Sequence, residues 1–230
     1  MTSTRRASLA AGVLFVTATV SALAASAVEP EVSGADALAA LPGNSQLFLL
    51  AALLHLVAAG TSVGIAIALY PVLRQVHPTL ALGSVVFRTI EAVFYTVGLV
   101  AVLSVLPLAR ELATAPADQQ AAIRTMAEMM VGLRDHAAVA GVVAFGTGAL
   151  LYYLAFYRSR LLPRWLSAWG VLGAIAMLTA CVLALFADRP VTGYVGLALP
   201  IAVQEMALAG WLLVRGFASE PQRSTVPALA

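Results

Sequence analysis

Apolar residues fill this chain in long runs, and polar residues gather in the gaps between them. Six runs reach the ~20 residues that a helix needs to cross ~30 Å of hydrocarbon. They are 8–28, 45–73, 79–107, 136–157, 163–187 and 192–216. Within the runs apolar positions are contiguous, without the in-out alternation of barrel strands, so the spans are helices. The pattern predicts an all-α polytopic transmembrane bundle of six helices, one integral membrane domain over 1–230. The long connection between spans three and four carries a different pattern. Ile123, Met126, Met130 and Leu133 recur at helical spacing, with Arg124 and Glu128 four apart on the wetter side and Pro116 at a helix start. This predicts an extra amphipathic outer helix over about 117–134.

Composition sharpens that picture. The chain is 61% hydrophobic and only 10% charged, against roughly 25% charged in soluble domains, and its mean hydropathy is +0.94. No globular core hides so much apolar surface, so lipid is the solvent for most of it. A net charge of +2 gives no argument for nucleic acid. The single cysteine, Cys181, rules out a disulfide framework or a cysteine zinc site within one chain. The first run, preceded by Arg5 and Arg6 and ending at Ala25-Ser26-Ala27, resembles a secretory leader. Its 21 residues exceed the core of such leaders, which favours a retained span.

All thirteen basic residues are arginines, and their distribution sets an orientation. With the N-terminus inside, Arg5, Arg6, Arg74, Arg158, Arg160, Arg164, Arg215 and Arg223 are cytoplasmic, against Arg110, Arg124, Arg134 and Arg189 outside. The expectation is a multi-pass plasma (inner) membrane protein with both termini cytoplasmic. Trp165, Trp169 and Trp211 fall near the cytoplasmic interface, where Arg158, Arg160 and Arg164 form a cationic patch suited to anionic lipid.

Charges inside spans change the picture most. Ser84, Arg88, Glu91 and Tyr95 are spaced four, three and four, so they line one face of span three. At 1.5 Å per residue Glu91 lies about 18 Å from the inner end, and Glu205 of span six about 16 Å. An ion facing lipid costs ~2.5–3.5 kcal/mol even on the lenient insertion scale. The three groups therefore face the bundle interior, where Arg88 can bridge a carboxylate. One positive and two negative charges leave −1, which a proton, a charged histidine or a bound cation must balance. His55 shares a face with Ser62 in span two, and His136 heads span four. Arg88, Glu91, Tyr95, Glu205, His136 and His55 are thus the candidate binding residues. No catalytic residue is assigned, and no cofactor or metal is expected.

The stretches "FRTIEAVFYTVG", "DHAAVAGVVAFGTGALLYYLAFYRSRLLPRWLSAWGVLG" and "PIAVQEMALAGWLLVRGF" together make the chain resemble the bacterial domain-of-unknown-function 4386 family. The distinctive positions are Arg88 and Glu91, His136, Pro163 with Trp165, and Glu205. The resemblance implies a small multi-pass membrane protein with a retained first span. It brings no activity to transfer.

Three classes of function compete on this reading. The first is binding or transport of a small molecule or proton at the Arg88, Glu91 and Glu205 cluster. The second is an intramembrane enzyme pairing a histidine with a glutamate, with or without a metal. The third is a structural or accessory subunit whose charges only lock helix register. Charges that serve only one another lie within ~3 Å with no cavity alongside; a ligand site requires a pocket against Glu91 or Glu205.

Overall fold

The computed structural model describes residues 2–187 and 191–218; Arg189 and Arg223 of the arginine distribution lie outside the described residues. The described chain is all-α. Helix α1 spans Ser3–Val28, α2 Ala35–Ala40, α3 Ser45–Leu73, α4 Pro78–Leu103, α5 Val105–Leu112, α6 Ala117–Ser159, α7 Arg164–Ala187 and α8 Val195–Val214. Six long helices, α1, α3, α4, α6, α7 and α8, are apolar and long enough to cross a membrane, and they match the six expected spans. Their ends follow local chemistry. Thr2 Oγ1 accepts a 3.3 Å hydrogen bond from the Arg5 backbone N–H, capping α1. Pro78 opens α4, where its missing N–H costs nothing. Arg160 closes α6 in the left-handed region at φ 57°, three residues before Pro163.

The separate amphipathic helix expected over 117–134 is not present. Those residues are the opening turns of α6, a single helix of 43 residues, roughly 65 Å long at 1.5 Å per residue. The fall in hydropathy before residue 136 marks a change of solvent, and no helix end coincides with it. No proline interrupts the stretch, and Gly132 alone costs only ~1 kcal/mol. His136 Nδ1 donates to the Gly132 carbonyl at 2.7 Å, one turn back. The apolar stripe does bury part of itself. Ile123 and Ala127 join Val32, Leu38, Leu41, Val105 and Leu106 in a small distal core, with Met130 packed against it. Met126 and Leu133 stay about half exposed.

The long helices form a closed ring in chain order. Helix α1 packs on α3, α3 on α4, α4 on α6, α6 on α7, α7 on α8, and α8 back on α1. Phe15, Tyr152, Tyr153, Phe156, Leu69 and Leu208 fill the interior. The closing seam is pinned at one end. Arg5 donates to the carbonyls of Leu212 (3.1 Å) and Leu213 (2.7 Å), and Ser8 Oγ to that of Leu212 (2.6 Å). These are carbonyls that a helix C-terminus leaves without partners, and a cation there also meets the negative end of the helix dipole. The start of α1 and the end of α8 therefore share one end of the bundle, called here the terminal end. The opposite end is the distal one.

Candidate functional site

Helix α4 turns its polar face inward. Arg88 and Glu91 are 2% and 3% exposed, deep among apolar side chains, because three residues of helix carry them to the same side. Arg88 Nη1 lies 3.2 Å from Glu91 Oε2. The neighbours stand side by side on one helix, so the contact is electrostatic, and Arg88 Nε and Nη1 find no aligned acceptor. The guanidinium lies instead over the Phe145 ring of α6, 4.8 Å from its centroid. Its aliphatic stem passes Gly148, where a Cβ would stand 3.2 Å from Arg88 Cγ. A small residue at 148 is what admits the long side chain between α4 and α6. From α3, Ser62 Oγ donates to Glu91 Oε2 at 2.8 Å, so α3 and α4 meet at one carboxylate.

Glu205 approaches from the far side of the ring. Helices α4 and α8 are not neighbours; they occupy opposite positions in the ring. Tyr152 of α6 reaches across and donates to Glu205 Oε1 at 3.1 Å. One helical turn separates Tyr152 from Gly148, where Arg88 packs. Glu205 and Arg88 thus feel each other's charge without forming an ion pair. Ser62, Glu91, Arg88, Tyr152 and Glu205 make a polar line through the interior. A second polar line runs beside it: Tyr153 donates to Gln204 Oε1, and Gln204 Nε2 donates to the Leu166 carbonyl at 3.0 Å.

The six candidate residues divide between locations. Tyr95 continues the α4 face but packs on Gly141 of α6 and hydrogen-bonds to none of the charged groups. His136 is exposed on α6. His55 belongs to a separate distal cluster. Its Nε2 donates to Glu29 Oε2 at 3.0 Å, Glu29 Oε1 lies 3.5 Å from Arg134 Nη1, and Arg134 Nε donates to Asp135 Oδ1 at 3.1 Å. Neither histidine joins Glu91 or Glu205. Among the described residues no three His, Cys, Asp or Glu side chains converge as a metal site requires.

Sequence reasoning missed Tyr152, Tyr153, Gln204 and the Glu29–Arg134 contact. Gln204 had a signal, since an amide inside a span needs partners. The paired tyrosines did not, because tyrosine in a span usually marks an interface. Cavities open at both ends of the bundle. One lies at the terminal end around Arg160, Arg164 and Trp211, the other at the distal end around Pro30 and Leu41. Neither is lined by Glu91 or Glu205.

The distal cluster has a pH consequence. The hydrogen bond from His55 holds the Glu29 carboxyl below its ordinary 4.5, and the charges of His55 and Arg134 add to it against the opposing effect of burial. A carboxyl lowered by folding stabilises the fold above its ordinary value, and that contribution fades as pH falls through the lowered one. Glu29→Gln is expected to lower the melting temperature at neutral pH and to flatten its decline on acidification below 4.5. Parallel melting curves for the two proteins across that range would contradict this.

The profile of a family described as Domain of unknown function (DUF4386) matches residues 10–216. No curated protein and no solved structure matches the chain.

Proposed function

The chain belongs to the family described as Domain of unknown function (DUF4386), and we propose that this multi-pass membrane protein binds or transports a proton at Glu205, which needs no pocket beside it. In this reading the Arg88–Glu91 pair is a fixed counter-charge. The observation that carries it is the asymmetry between the two inward acids, Glu91 buried and Glu205 half-buried. Glu91 has a guanidinium at 3.2 Å and a hydroxyl at 2.8 Å. Glu205 has a tyrosine hydroxyl and no cation in contact. Intramembrane carboxyls without a partner cation are expensive and mark ion or proton pathways. Tyr152 can hand a proton on because its hydroxyl both donates and accepts. The arginine distribution favours a cytoplasmic terminal end.

Proteoliposomes loaded with a pH-sensitive dye and given an imposed pH step test this. The protein is expected to speed decay of the step, and Glu205→Gln to return it to the rate of empty vesicles. Decay in both no faster than in empty vesicles sinks the proton reading. Tyr152→Phe, which keeps the ring packing, is expected to slow the decay severalfold.

A second reading has its own support. The 3.2 Å Arg88–Glu91 contact, with neither cavity beside it, suits a lock on helix register. The two readings are compatible if the lock belongs to α4 and the exchange to Glu205.

A further inference from the structure

The terminal end holds a feature that the interior polar line does not use. The chain leaves α6 at Arg160, passes through Leu161 to Pro163 and enters α7 at Arg164. This turn faces the end of α8. Between them opens a cavity of about 580 Å³ lined by Arg160, Arg164, Arg215, Trp211, Leu162 and Phe217, among others. Among the described residues of its lining, arginine is the only ionisable type. Two of the arginines are held by their surroundings. Arg215 lies 4.8 Å from the centroid of Trp211, and Arg164 lies 5.5 Å from that of Tyr157. Arg160, exposed, leaves the helix with a left-handed backbone.

The wall opposite the turn is also built. Ala218 N–H donates to the Leu161 carbonyl at 2.9 Å, which folds the chain after α8 back onto the turn. Gly216, at φ 76°, makes that reversal possible, and Trp211 Nε1 donates to its carbonyl at 3.2 Å. Trp165 and Trp211 meet edge to face with centroids 6.4 Å apart, as aromatic side chains do at the level of lipid headgroups. Phe217 stacks on Phe156, so the cavity floor is apolar. A concave site with three guanidinium groups, an apolar floor and a tryptophan rim fits one chemistry. It suits an anionic phosphate group whose remainder is apolar.

We infer that the cavity between the α6–α7 turn and the end of α8 binds a phosphate-bearing anion, in the position of an anionic phospholipid headgroup. Guanidinium groups grip phosphate oxygens in paired hydrogen bonds, and three arginines line this cavity. The floor of Leu162 and Phe217 would meet the glycerol and the first acyl carbons. Free phosphate has the same anionic part and lacks the apolar one, so the two sources are separable by experiment.

The test uses the full chain in detergent, with phosphatidylglycerol, phosphatidylcholine and inorganic phosphate as probes. Native mass spectrometry counts retained lipid, and tryptophan emission follows titration. Phosphatidylglycerol is expected to bind at least tenfold tighter than phosphatidylcholine. Each of R160Q, R164Q and R215Q should weaken it about fivefold, the worth of one basic side chain at an anionic surface. R124Q removes an exposed arginine on the distal half of α6, away from the cavity, and should leave binding unchanged. Saturable binding of inorganic phosphate, lost in the same three variants and without lipid preference, would keep the site and assign it to free phosphate. Equal retention of both lipids by the wild-type chain, with no phosphate binding, overturns the proposal. So does undiminished phosphatidylglycerol binding in R164Q and R215Q proteins that melt like wild type.

Discussion

Arg88→Met lowers the stability of the folded bundle by about 3–5 kcal/mol, the cost of leaving a buried ion without its partner. The loss comes from what remains. Glu91, 3% exposed, would keep a single hydrogen bond from Ser62 in place of a guanidinium and a hydroxyl. Arg88→Met with Glu91→Leu should recover most of the loss, because apolar replacement of a whole buried pair is close to neutral. Denaturant titration in detergent with a helicity readout measures both. If the double variant is as unstable as the single one, the pair is not what holds α4 in register. The recovered double variant also serves the transport question. With Glu205 intact and α4 apolar, any proton flux that survives assigns the traffic to the α8 side.

Gly170→Val should be as damaging, for a steric reason. A Cβ at Gly170 would fall within the van der Waals envelope of the Tyr153 ring. That ring cannot step aside: it is fully buried, 4.4 Å from Tyr152 by centroid, and its hydroxyl is tied to Gln204. Overpacking a rigid core costs about 1–3 kcal/mol and sometimes more. Here it would also break the Tyr153–Gln204–Leu166 chain of hydrogen bonds. Gly210→Val is the matched control, since nothing lies within 4 Å of a Cβ there. Equal melting temperatures for the two variants would show that the α6–α7 seam yields more than its packing implies.

What could be read from the letters follows from which forces act locally. The spans were legible because hydrocarbon imposes a length and a polarity on each helix separately. The inward turn of Arg88 and Glu91 was legible for the same reason: on α4 the lipid-facing alternative is too costly. The nature of the amphipathic stretch was not, because hydropathy reports solvent and not backbone continuity. Residues 117–134 change surroundings at His136 without changing conformation. The ring order was hidden too, since sequence gives depth and face but not which helices adjoin. Similar depth was expected of Glu91 and Glu205, but the partner that Glu205 finds is Tyr152 of a third helix. His55 was grouped with the interior acids by its span, and only the return of the chain at Glu29 supplies its true partner.

Each long helix rests on the one made just before it, with a single exception. Contacts between consecutive helices let a bundle assemble stepwise as the chain emerges, at little loop-closure cost. The exception is α8 on α1, which must wait until synthesis of the last helix is finished. Arg5 and Ser8, hooked onto the carbonyls of Leu212 and Leu213, then act as the clasp of a bracelet. Until the clasp shuts, the wall beside Glu205 stays open, so the interior polar line is enclosed only by the last step of assembly.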